Sequence, residues 1–208
     1  MAITTEQIKD LREKTGAGVL DCREALTNAD GNFDKAVDFL REKGLAKAAK
    51  RADREALNGV IELYSHGEGR VGVMAEVNCE TDFVALNESF REFAHEIALQ
   101  IAAMDPKWIS DDQIPDEIIQ LEMDDARIFA KGEGKPENVI EKIVEGRLEK
   151  FKDDNVLLRQ TYIRDDSMKV QDLLNEKIAF IGENILIRRF ERWELGGVSD
   201  QKDEEEET

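Results

Sequence analysis

Cysteine, histidine, basic charge and long apolar runs are all scarce in this sequence, and each scarcity removes a class of function. There are two cysteines, Cys22 and Cys79, far apart and without a C-x-x-C pair or a His/Cys cluster. A zinc site is therefore not expected, and a reducing cytosol is the natural setting. The two histidines, His66 and His95, fall in a turn and beside a helical stripe near Glu92. No third partner joins them, so no catalytic histidine arrangement emerges. No stretch approaches ~18 apolar residues, which predicts no membrane span. The opening Met-Ala-Ile-Thr-Thr-Glu lacks the basic and apolar regions of a signal peptide. Gly67, Gly69 and Gly72 are not followed by G-K-[ST], so they suit a hairpin turn rather than a phosphate-cradling loop. Lys plus Arg number 29 against 47 Asp plus Glu, a formal charge of −18. Such a field repels phosphate backbones and argues against a nucleic-acid partner.

What is present is a helix-rich, soluble composition, 41% hydrophobic and 37% charged over 208 residues, enough for one large domain or two unequal ones. Thr4 or Thr5 can cap a first helix carrying Ile8 and Leu11, ending at Thr15-Gly16-Ala17-Gly18. A second, about 18–28, offers Val19, Cys22, Ala25 and Leu26. A third, started by Asp30 or Asn32, offers Phe33, Ala36, Val37, Phe39 and Leu40 and is expected to end at Gly44. Three short helices with tight turns resemble a ubiquitin-associated-type bundle, a shape used mostly for protein contacts. Residues 41–54 then hold six basic residues against two acids. That segment reads either as a solvated linker helix or as a basic patch for an acidic protein surface.

Val60 to Ser65 and Arg70 to Glu80 read as a β-hairpin joined at His66-Gly67-Glu68-Gly69. On the return strand Val71, Val73, Ala75, Val77 and Cys79 share one face. That face is expected to be buried and the other at least partly polar. Asn87 to Met104 carries Phe90, Ala94, Ile97, Ala98, Ile101 and Met104 at helical spacing. Helices of about 115–131 and 137–152, joined by Gly132 to Pro136, form an antiparallel hairpin. Leu157 to Ile163 is ambiguous and extended, Ser167 can cap a helix of about 168–181, and Ile185 to Leu195 suits a last strand. The last ten residues have no apolar side chain and read as a disordered, solvated acidic tail.

At the joint between return strand and long helix stands N-C-E-T-D-F-V-A-L-N, Asn78 to Asn87. Such a joint is a rim position where functional groups are often presented. From spacing alone, Thr81 or Asp82 reads as a helix cap and Phe83 as core. Asp82 with Glu76 or Glu80 could also be read as paired carboxylates of an enzyme, but nothing nearby acts as a nucleophile.

Two strings, L-R-E-K-T-G-A-G-V-L-D-C-R-E-A-L (Leu11 to Leu26) and E-V-N-C-E-T-D-F-V-A (Glu76 to Ala85), resemble the signatures of bacterial elongation factor Ts. Lys135 to Phe151 and I-G-E-N-I-L-I-R-R-F, Ile181 to Phe190, add support, and the likeness covers residues 2–197 in order. The resemblance implies an α+β fold. An N-terminal three-helix ubiquitin-associated-like bundle (1–44) and a basic linker helix (45–57) precede a core domain (58–197). That core is a small antiparallel sheet flanked by helices, with a protruding antiparallel helical hairpin (113–152), and an acidic tail (198–208) follows.

The resemblance further implies a guanine-nucleotide exchange factor for the GTPase elongation factor Tu, acting in the cytoplasm, not an enzyme, with no cofactor, catalytic residue or metal of its own. Arg12, Val19 and Leu20 match the family's docking residues. Thr81, Asp82, Phe83 and Val84 match the element that dislodges the partner's Mg²⁺. Longer members carry two hairpin-plus-helix units before the arm, whereas this chain has one, from Val60 to about Ile109. A second copy of the chain is therefore expected to cover the open sheet in a homodimer. The alternative is a plain adaptor that binds proteins through the N-terminal bundle.

Overall fold

The computed structural model describes residues 3–197, so the acidic tail of 198–208 lies outside the described residues. Helix α1 (Thr5–Thr15) begins with a reciprocal capping box, in which the Gln7 amide donates to Thr4 Oγ1 and the Thr4 amide donates to Gln7 Oε1. It ends at Gly16, where φ of 66° lets the chain reverse. Helices α2 (Val19–Asn28) and α3 (Phe33–Ala49) complete the bundle around Leu11, Cys22, Ala25, Leu26 and Ala36.

Helix α3 does not stop at Gly44. It runs on to Ala49, because Gly44 keeps helical backbone and the alanine-rich segment after it favours helix. Gly44 is buried where α3 crosses a helix of the core, and a Cβ built on it would meet Ala179 Cβ at 3.6 Å. That is ordinary contact, so Gly44→Ala is expected to raise stability by about 0.5–1 kcal/mol through helix propensity. A larger side chain would force the helices apart. Thermal denaturation of Gly44→Ala beside the unaltered chain checks this, and a lower melting temperature for the variant would contradict it.

The basic segment is spent largely inside the chain. Arg41 pairs with Asp172, Lys43 with Asp21 and Glu24 (2.8 and 2.6 Å), Lys47 with Asp21 (2.9 Å) and Arg54 with Glu80 (3.4 Å). The two lysines pull the Asp21 carboxyl below the usual carboxylate range.

Strands β1 (Asn58–His66) and β2 (Val71–Cys79) form the expected hairpin. A one-turn helix, α4 (Asp82–Ala85), precedes α5 (Glu88–Met104), which Asn87 caps. Helices α6 (Asp116–Gly132) and α7 (Glu137–Asn155) pack on each other around Ala126, Ala130, Ile140 and Val144, a small core separate from the main one. A β3–β4 ribbon (Thr161–Tyr162 and Asp165–Lys169) leads into α8 (Val170–Ile181) and then β5 (Ile185–Glu194). The main sheet is antiparallel in the order β1-β2-β5.

The period-two pattern of β2 holds: Val73, Ala75, Val77 and Cys79 are buried. Onto that face α5 lays Phe90, Phe93, Ala94, Ile97, Ala98 and Ile101, and α8 adds Leu173, Leu174 and Ile178. Each large side chain among these contributes about 1.5–3 kcal/mol by leaving water. The opposite face is bare, with Ile61, Leu63, Met74 and Trp193 exposed around a Glu76–Arg189 ion pair of 2.7 Å.

Two local expectations fail. Ser167 does not cap α8: its hydroxyl donates to Asp165 (2.6 Å) within β4, and the helix starts after Lys169, whose amide donates to Asp172 (3.1 Å). The ambiguous stretch resolves into a 3₁₀ turn, Leu157–Arg159, followed by β3. His95 is exposed at the rim of the α5 stripe, where it pairs with Glu62 on β1 (2.9 Å). Among the described residues no helix is long and apolar enough to cross a membrane.

Candidate functional site

Strand β2 ends at Cys79, and two residues later Thr81 starts α4 as its N-cap in extended conformation (φ −124°, ψ 156°). An N-cap hydroxyl can accept from the helix's orphan amides, and here Thr81 Oγ1 accepts from the Val84 amide at 3.4 Å. The helix is too short to turn Phe83 back onto the sheet. Phe83 is 82% exposed, and Asp82 and Leu86 are exposed beside it. Thr81 and Val84 are half-buried at the base, with Val84 against the main core. Together they make a hook: a buried foot, a capped turn and an apolar tip.

The hook is tethered from below. The Thr81 amide donates to Glu183 Oε2 at 3.0 Å and the Thr81 hydroxyl donates to Glu183 Oε1 at 2.7 Å. The Cys79 thiol donates to the Thr81 carbonyl at 3.2 Å. Burial and the neighbouring Glu183 charge push that thiol up to about 11, so it stays protonated as a donor. Next to it, Glu80 accepts from the Asn184 amide at 2.7 Å, and the buried Asn184 side chain donates to the carbonyls of Arg54 (2.8 Å) and Ala52 (3.3 Å).

These contacts dispose of the paired-carboxylate reading. Glu76 is held by Arg189 and Asn78, which lower its pKa, and Glu80 is taken up by Arg54 and Asn184. Each acid neutralises or accepts from a structural donor of its own.

The three docking candidates lie on the bundle. Arg12 is exposed in the last turn of α1, and Val19 and Leu20 are exposed at the start of α2. Val19 therefore does not join the bundle core, which the sequence pattern had offered it. All three flank the Gly16 turn, where a Cβ would lie 3.4 Å from the Phe180 ring at the end of α8. Sequence pattern alone does not single out Glu183, Asn184 or Leu86. A signal for the first two existed: they are polar residues at a helix-to-strand joint, directly after the glycine that caps α8.

Comparison with known proteins gives a consistent picture. The family model described as Elongation factor TS matches residues 27–196. An elongation factor Ts from Caldanaerobacter subterraneus subsp. tengcongensis is 58% identical over 194 residues, spanning 93% of this chain and 97% of that protein. Those from Acetivibrio thermocellus and Carboxydothermus hydrogenoformans are 54% and 53% identical over 202 and 203 residues, covering 97% and 98% of this chain and 94% of each relative.

Proposed function

The chain belongs to the elongation factor Ts family, and on that premise we propose that it is the guanine-nucleotide exchange factor for the GTPase elongation factor Tu. The observation that carries this reading is Phe83, a large aromatic held in water on a tethered one-turn helix. Fully exposed phenylalanine is uncommon, and aromatic anchors dominate interface energies. In this reading Arg12, Val19 and Leu20 dock on the GTPase. Thr81 and Val84 found the hook, and Phe83, with Asp82 beside it, wedges into the partner near its bound Mg²⁺.

A GTPase holds GDP through phosphate contacts and a Mg²⁺ bridging protein and phosphate oxygens. Shifting the groups around that ion weakens GDP without touching the base, and every 1.4 kcal/mol removed is about tenfold in affinity. No covalent bond changes, so the factor is not an enzyme in the usual sense and acts by differential binding. Linkage makes the effect reciprocal: a factor that weakens GDP must itself bind the GDP form less tightly. Titration calorimetry with the nucleotide-free and the GDP·Mg²⁺ forms tests this directly. The exchange reading expects at least tenfold tighter binding to the empty form, whereas a plain adaptor would bind both alike. Translation elongation places such a factor in the cytoplasm, with protein rather than nucleic acid as its partner.

The bare sheet face supports a homodimer. Leu63 and Trp193 are 71% and 78% exposed there, beside Ile61 and Met74, an apolar patch of the kind that marks a protein interface. Light scattering at micromolar concentration is expected to give a dimer for the unaltered chain and a monomer for Leu63→Lys. A monomeric unaltered chain would contradict the dimer.

A further inference from the structure

We propose that Glu183 is a positioning residue for exchange, one that acts through Thr81 to set where the Phe83 hook stands relative to the N-terminal bundle. The proposal rests on the exchange reading above and adds the device that aims the hook.

Thr81 sits between two elements, and neither uses its amide: β2 has ended at Cys79, and an N-cap residue donates nothing to its own helix. Its hydroxyl has one proton and two lone pairs. Glu183 accepts both donors, one on each carboxylate oxygen, at 3.0 and 2.7 Å. With its proton committed to Glu183, the hydroxyl points a lone pair at the Val84 amide and caps α4. The carboxylate therefore orients the cap as well as anchoring it, through hydrogen bonds of the stronger, charge-assisted kind.

Glu183 lies on a segment that also reaches the other patch. Phe180 packs beneath the Gly16 turn that carries Arg12, Val19 and Leu20. Gly182, at φ 86°, ends α8 and turns the chain so that Glu183 meets Thr81. Asn184 then ties Glu80 to the carbonyls of residues 52 and 54, just past the end of α3. Residues 180–184 thus touch the bundle's docking turn, the chain leaving the bundle and the foot of the hook. A partner engaged at both patches reads their separation, and misplacement by an ångström is enough to lose most of an effect that depends on alignment.

Glutamine at 183 keeps the shape but offers one acceptor oxygen, and its amide group faces a Thr81 donor. Glu183→Gln is therefore expected to lower the maximal rate of GDP release from elongation factor Tu by about tenfold, corresponding to roughly 1.4 kcal/mol. The concentration giving half the maximal rate should change by less than about twofold, because the bundle patch is untouched. Thr81→Val removes the hydroxyl, and the double variant should be no worse than the poorer single one if Glu183 works through Thr81. In the free chain, exchange of the Thr81 amide with solvent should speed up by about tenfold or more in Glu183→Gln.

An unchanged maximal rate, fully additive single effects, or an unmoved Thr81 amide would each overturn the proposal. Phe83→Ala runs alongside. If the unaltered chain accelerates release and Phe83→Ala does not while Glu183→Gln does, positioning by Glu183 fails and the exchange reading stands. If the unaltered chain does not accelerate release at all, the exchange reading fails, and the proposed role of Glu183 in exchange falls with it.

Discussion

Phe83→Ala is expected to cut the maximal rate of GDP release from elongation factor Tu by roughly 30- to 150-fold, the equivalent of about 2–3 kcal/mol for burying one phenylalanine ring in a partner. The same change should leave the chain's own stability within about 0.5 kcal/mol, because surface side chains away from caps and cores contribute little. Phe83 meets that condition: it is 82% exposed, and the Thr81 cap that forms its helix is made by other groups. Stopped-flow release of a fluorescent GDP, together with a melting curve, separates the two effects. A large loss of melting temperature would mean that Phe83 supports the fold instead of the interface. Leu86, three residues on and exposed, shares a helix face with Phe83 and is the natural companion at the tip.

The largest effect on stability is expected at Gly59. This residue pairs with Asn78 at the base of the hook and has φ of 149°. A Cβ built on it would stand 2.1 Å from the Val77 carbonyl oxygen and 2.7 Å from Asn78 Cα. Both are backbone atoms of the neighbouring strand and cannot swing aside. Gly59→Ala must open the β1–β2 pairing at its end, next to the Asn58 side chain, whose Nδ2 donates to the Glu80 carbonyl at 2.8 Å. Strain and overpacking of this kind amount to about 3–5 kcal/mol. For a chain of this size that is a fall in melting temperature of about 10 °C. Gly72→Ala is the control, since Gly72 lies on the bare face with no atom within 4 Å of a Cβ. If the two variants melt together, close packing at Gly59 is not what holds the hairpin.

What was legible in the sequence was local and periodic. The alternation from Val71 to Cys79 named the buried face of β2, and the spacing from Phe90 to Ile101 named the face of α5 that covers it. Gly132 to Pro136 marked the reversal of the arm, and each turn glycine with a left-handed backbone did what its chemistry allows. What was not legible depended on distant partners. Gly44 looks like a helix stop until α8 packs against it and makes a small residue useful there. The basic run of 41–54 looks like a patch until Asp21, Asp172 and Glu80 claim most of its charges. Ser167 looks like a cap until Asp165 takes its hydroxyl.

The candidate site divides in the same way. Thr81 as a cap followed from residue type and position. The exposure of Phe83 did not, because period and spacing alone assign a phenylalanine beside a strand to the core. Only the resemblance of E-T-D-F-V to a known signature pointed outward. Glu183 meets Thr81 across 102 residues of sequence, and no local pattern announces such a contact.

The central claim is that this chain loosens GDP on its partner through an exposed aromatic. The most direct measurement is the rate at which fluorescent GDP leaves elongation factor Tu when the unaltered chain is added, at fixed Mg²⁺. The account predicts that release speeds up with concentration to a plateau far above the intrinsic rate, and that raising Mg²⁺ lowers the plateau. Release that stays at the intrinsic rate at every concentration of the chain, while the two proteins still bind, would contradict it.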